Sequence, residues 1–195
     1  QKIYLRNNSP TSIINWFEKN PPLGGLGKIK LAEAFLEQGK TAEVGKLIKD
    51  GWTTAEIRKN DLVYYRGKFK KFLTSEDHLK RADHLAWERK YWDLKRMLKY
   101  LPKDERALYN ARQILMSNSY GVDNAIAKVP LHLKKDPGLE FDRLRWRNRR
   151  GRLEGSLEIL YKNANRTERL MIRPDLWWEQ RKSVARSLIY KKRYK

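Results

Sequence analysis

Thr74-Ser75-Glu76-Asp77-His78-Leu79-Lys80-Arg81-Ala82-Asp83-His84-Leu85-Ala86 is the stretch that decides how this chain folds. A threonine followed within three residues by acids is the capping-box arrangement that opens a helix. Behind it, Leu79, Ala82, Leu85 and Ala86 recur at steps of three and four, the single apolar stripe of an α-helix. Downstream, Arg89-Lys90-Tyr91 reads as a turn, and Leu94, Met97, Leu98 and Leu101 form a second stripe that Pro102 ends. Residues 79–102 are therefore a helix, a turn and a helix.

The same unit recurs. Residues 106–130 read as helix, turn at Ser119-Tyr120-Gly121, helix and Val129-Pro130. Residues 139–164 read as helix, turn at Arg150-Gly151, helix and Asn163-Ala164. The Leu101-Pro102 and Val129-Pro130 endings lie 28 residues apart, and a period of roughly 30 residues built from helix pairs marks an α-solenoid. Residues 174–190 read as one long helix with Pro174 at its start and Asp175 in its first turn. It reads as half a hairpin, so the chain is expected to belong to a longer protein. Upstream, Leu31 to Gln38 is rich in helix formers and stopped by Gly39. Thr41 is placed to cap a helix carrying Val44, Leu47 and Ile48, and Thr53-Thr54-Ala55-Glu56 resembles a further capping box, with Ile57, Val63 and Tyr64 behind it. Asn20-Pro21-Pro22 and Gly24-Gly25 break the chain after a first helix. Alternating strand-like runs are scarce. The expected fold is all-α: an α-solenoid or superhelix of stacked helical hairpins. Residues 1–195 form one domain, with 1–24 an N-terminal helix and loop and 25–195 the hairpin repeats.

The 195 residues include 44 Lys+Arg against 23 Asp+Glu, a net charge of +21. The excess is spread evenly, +7 over residues 1–71 and +14 over 72–195. Seven Trp and ten Tyr are too many aromatics for a disordered chain. No run approaches the roughly 18–20 apolar residues of a membrane-spanning helix, and with no cysteine, disulfides and thiolate metal sites are excluded. The chain starts at Gln1 without a leader pattern, so either a leader has been removed or this is a piece of a longer chain. The charge predicts an acidic partner: nucleic acid, an anionic membrane or a cell-wall polymer.

Motifs for catalysis are missing. His78 and His84 are six apart, on different helix faces, and His132 stands alone. All three read as helix-surface residues; no metal and no cofactor is expected. Leu23-Gly24-Gly25-Leu26-Gly27-Lys28 lacks both a preceding strand and the spacing of a phosphate-binding loop, and reads as a helix-breaking loop. Glu33 and Glu37 sit on an ordinary amphipathic helix. The sharpest feature is Arg143-Leu144-Arg145-Trp146-Arg147-Asn148-Arg149-Arg150-Gly151-Arg152, with six arginines in ten residues. On a helix Arg143, Arg147 and Arg150 line one face. They form either an anion-binding patch or a solvated face whose stems cover the next hairpin and pair with Glu140, Asp142 or Glu154. Of the adjacent Trp177 and Trp178, one belongs in the core. Arg186, Lys191, Lys192, Arg193 and Lys195 form a basic tail.

Asp136-Pro137-Gly138-Leu139-Glu140-Phe141-Asp142-Arg143-Leu144-Arg145-Trp146-Arg147 with Arg150-Gly151, and Arg173-Pro174-Asp175-Leu176-Trp177-Trp178-Glu179-Gln180-Arg181 with Ala185-Arg186, resemble the soluble lytic murein transglycosylases of Gram-negative bacteria. Arg81 to Trp87, Leu101-Pro102 and Ala111-Arg112 fit the same pattern, so that the resemblance covers roughly residues 25–195. It implies the family's α-superhelical domain, a periplasmic location and peptidoglycan, as glycan strands or muropeptides, as the partner. The family's lysozyme-like catalytic domain, with a catalytic Glu in a Glu-Ser motif followed by Gly-Leu-Met-Gln, has no counterpart here, so the resemblance transfers no catalytic residue. The parent reaction it implies is cleavage of the bond between N-acetylmuramic acid and N-acetylglucosamine with a 1,6-anhydro product. Arg143, Arg147 and Arg150 are the expected contacts to an anionic ligand. The alternative is a basic helical-repeat protein that binds nucleic acid or scaffolds other proteins.

Overall fold

A computed structural model describes residues 8–117, 120–165 and 172–193. All regular structure among them is helical. In order, the helices are α1 (Pro10–Lys19), α2 (Gly25–Glu37), α3 (Thr41–Thr54), α4 (Lys59–Lys68), α5 (Ser75–Trp87), α6 (Tyr91–Met97), α7 (Lys103–Leu115), α8 (Val122–Ala127), α9 (Pro137–Arg149), α10 (Leu153–Lys162) and α11 (Pro174–Tyr190). Short 3-10 turns at Leu98–Tyr100 and Leu131–Leu133 extend α6 and precede α9. The chain divides into two compact units, Gln1–Pro102 and Lys103–Lys195.

One turn recurs and makes the hairpins. At Gly39, Arg89 and Gly151 the backbone enters the left-handed region (φ +74°, +56° and +66°). The next residue is basic each time: Lys40, Lys90 or Arg152. Its N–H bonds the carbonyl five residues back, on Phe35, Leu85 or Arg147, at 2.9 Å in all three. The left-handed residue bonds the carbonyl three back, on Leu36, Ala86 or Asn148. This is the Schellman arrangement that satisfies the last carbonyls of a helix. The following helix, α3, α6 or α10, starts at once. Lys192 (φ +55°) and Arg193 close α11 with the same pair of bonds, to Ile189 and Leu188. The expected turn at Ser119-Tyr120-Gly121 is a left-handed Gly121 before α8; Ser119 lies outside the described residues.

In the first unit α1 lays Ile13, Ile14 and Phe17 on Leu31 and Ala34 of α2. Helices α2 and α3 approach so closely that a Cβ on Gly25 would meet the Ala55 backbone and the Gly51 carbonyl. That contact corrects two expectations. Gly25, Gly27 and Lys28 are not a helix-breaking loop but the first turn of α2. No capping box forms at Thr53-Glu56: α3 continues through Thr54, because Trp52 is fully buried and carries the helix past this point. Thr53 and Thr54 turn their hydroxyls back to the Lys49 and Asp50 carbonyls. Ala55 and Arg58 are extended, and α4 buries Leu62 and Tyr65 while Val63 and Tyr64 face out. The capping box at Thr74 is present, with Asp77 and Thr74 bonding each other's backbone N–H.

In the second unit α7 packs on α8 and α9, and α9 on α10 and α11. Phe141 of α9 meets Trp177 of α11 edge to face, centroids 5.4 Å apart. Trp177 is the core member of its pair and Trp178 is exposed. Leu101 and Val129, which precede the two hairpin-ending prolines, are both buried.

Candidate functional site

Two regions concentrate charged side chains. The first is the arginine helix α9 and its joints. Its N-cap Asp136 accepts from the Leu139 N–H at 2.8 Å, and Pro137 occupies the first turn, where its missing N–H costs nothing. Gly138 leaves room for one group: a Cβ there would strike the Arg112 guanidinium. Arg112 of α7 has no exposed surface, and its Nε donates to Asp142 Oδ2 at 2.8 Å. Burial pushes the Asp142 carboxyl up against the pull of Arg112. The block Asp136-Pro137-Gly138-Leu139…Asp142 thus builds the α7–α9 joint.

Arg143 and Arg147 lie on α9 and Arg150 is its C-cap, and each is placed differently. Arg143 is half-buried. It follows Arg81 and Arg112 at equal steps of 31 residues, and those two are fully buried structural groups. Arg147 donates to the Gly155 carbonyl at 2.6 Å and to Glu158 at 2.9 Å, tying α9 to α10. Arg150 is exposed and lies over the Trp146 ring at 5.5 Å, with Arg152 over the same ring at 4.6 Å. Of the carboxylates expected to pair with this run, Glu140 meets Lys162, Asp142 meets Arg112 and Glu154 meets Arg193. Arg149 donates to the carbonyls of Leu115, Met116 and Ser117, closing the end of α7. The tail cation Arg193 is therefore engaged, while Lys195 lies outside the described residues.

The second region is in the first unit. A cavity of about 780 Å³ opens between α2, the extended link 55–58, α4, α5 and the start of α6. Its apolar wall is Leu26, Ala55, Ile57 and Leu85. Beside it, Glu33 of α2 collects the Lys30 ammonium (2.8 Å), the Lys68 ammonium (2.8 Å) and the Tyr64 hydroxyl (2.7 Å). Burial raises its carboxyl, and these three donors outweigh that and hold it below the usual range. Burial likewise lowers Lys30, but Glu33 and Tyr65 lift it to about 12. A carboxylate so held stays ionised and has no proton to give.

Below this region the histidine expectation fails at one position. His78 is buried, its Nδ1 accepting from the Trp52 indole N–H at 3.1 Å, because α5 turns this face onto α3. Burial first, then the neighbouring Arg66 charge, lower its pKa. His84 is half-buried and His132 exposed. Among the described residues no three His, Asp or Glu side chains are grouped to hold a metal ion, and no helix is long and apolar enough to cross a membrane. Comparison with protein-family models, with curated proteins and with solved structures finds no match to this chain.

Proposed function

We propose that this chain is the superhelical scaffold of a periplasmic lytic transglycosylase and that it engages peptidoglycan. One observation carries the reading: both sequence blocks that resemble that family are present, in order, and their apolar anchors Phe141 and Trp177 pack together. In this reading the chemistry belongs to a lysozyme-like domain outside this chain, and the residues here position glycan and peptide. The helical hairpins supply a stiff frame, and the net charge of +21 attracts the carboxylates of the peptide stems. Arg143, Arg147 and Arg150 are the proposed anionic contacts.

The test is retention of the purified chain on peptidoglycan sacculi at moderate salt. Retention that falls when all three arginines are changed to alanine supports both the partner and the contact. Retention unchanged in the triple variant removes these arginines from the reading. Absence of retention removes the cell-wall partner.

A further inference from the structure

The first unit's cavity is electrically unlike the rest of the molecule. Lys30, Arg58, Lys90 and Arg96 bring four positive charges to its wall, and Glu56, Asp61, Glu88 and Asp93 bring four negative ones. A chain of net charge +21 has here a neutral but highly charged recess. Part of the charge is consumed internally: Lys90 pairs with Glu56 at 3.1 Å, Arg96 with Asp93 at 2.6 Å, and Lys30 with Glu33. Arg58 and Asp61, one turn apart at the start of α4, are exposed on the wall, and no ion pair joins either to another described residue. The link that runs past them is extended at Ala55 and Arg58. Among the described residues the buried Ile57 on that link puts neither its N–H nor its C=O into a backbone hydrogen bond.

We infer that this cavity binds a short zwitterionic peptide. Its carboxylate meets Arg58, its ammonium meets Asp61, and its backbone pairs with the extended link at Ile57. Each element of the recess selects for one part of such a ligand. A polyanion gains nothing from four wall carboxylates. A single amino acid fills little of 780 Å³, which lies in the range of pockets that enclose drug-sized molecules. The apolar wall of Leu26, Ile57 and Leu85 takes a side chain, and an unpaired backbone amide beside it is the element that reads an extended peptide. The inference does not depend on the cell-wall reading, because any soluble peptide of this chemistry tests it.

The experiment titrates the whole chain with the dipeptide alanyl-leucine, its N-acetylated form and its C-terminal amide, following the backbone amide resonances of Glu56, Ile57 and Arg58. The expected result is saturable shifts with the free dipeptide, weakened about tenfold by blocking either terminus, the scale of one charge-assisted hydrogen bond. In Arg58→Glu the amide is expected to bind at least as well as the free acid, and in Asp61→Lys the acetylated form at least as well as the free amine. Both positions are exposed and tie no elements together, and the comparison of three peptides on the unaltered chain stands even if a variant fails to fold. No saturable shift up to about 10 mM, weaker than any ordinary specific site, overturns the inference. Equal affinity for the free and blocked dipeptides also overturns it.

Discussion

Among the described residues each unit buries one arginine completely, and the two are satisfied in opposite ways. Arg81 in the first unit donates to the carbonyls of Trp52 and Ala55 at the end of α3 and lies over the Trp52 ring, 5.2 Å from its centroid. No carboxylate bonds it among the described residues, its Nε has no acceptor, and burial lowers its pKa to about 10. Arg112 in the second unit meets an equally buried carboxylate, Asp142, with Asp136 4.0 Å away. The first is a helix cap that happens to be charged; the second is an ion pair. A buried cap depends on a backbone that mutation cannot remove. A buried pair fails badly when one partner goes and little when both go.

The largest expected effect is therefore at the pair. Arg112→Met leaves Asp142 buried without its partner and is expected to cost about 3–5 kcal/mol in urea unfolding. The double variant Arg112→Met, Asp142→Leu is expected to recover most of that loss. Arg81→Met strips two donors from buried carbonyls, at about 2–3 kcal/mol, and no second substitution restores it. Equal rescue in both units would break the distinction.

A smaller effect separates the units by pH. The folded pKa of His78 is lowered below its ordinary 6.5, so between those values the unfolded chain binds more protons. The stability His78 provides as a neutral acceptor is complete above pH 6.5 and is lost as pH falls below it. Asp142 has the opposite sign: raised from 3.8 to about 6, it takes up a proton more readily when folded. Its contribution falls as pH rises from 3.8 to about 6. Residue-resolved hydrogen exchange is expected to show the first unit weakening below pH 6.5, with His78→Gln, which keeps an acceptor, flattening that loss and leaving the second unit unchanged.

The smallest effect lies in the shared turn. Arg89 and Gly151 occupy the same left-handed position, which costs a side chain about 1 kcal/mol or somewhat more. Arg89→Gly is expected to stabilise the first unit by about that amount, and Gly151→Ala to destabilise the second by the same amount, read as shifts of the unfolding midpoint.

What the sequence made legible was periodic or punctuated. The stripe behind Thr74, the turns at Arg89 and Gly151, the helix from Pro174 and the buried Trp of the 177–178 pair all follow from spacing and local chemistry. What it hid was set by contacts between helices. Thr53-Glu56 has the letters of a cap, but α3 runs through it since Trp52 must reach the core. His78 looked like a surface group because its partner, Trp52, is 26 residues away. The arginine run read as either an anion patch or a face covering the next hairpin, and only the packing shows Arg147 reaching Glu158 and Arg149 the end of α7. The cavity brings together charges scattered from Lys30 to Arg96, with no local motif to announce it.

The most direct measurement is competition between peptidoglycan sacculi and double-stranded DNA for the purified chain across a salt series. A cell-wall scaffold is expected to stay on sacculi in excess DNA, with a salt dependence shallower than that of DNA binding. Transfer to DNA, with a log-affinity slope of about −0.9 per phosphate neutralised, would contradict the account and make this basic helical chain a nucleic-acid-binding protein.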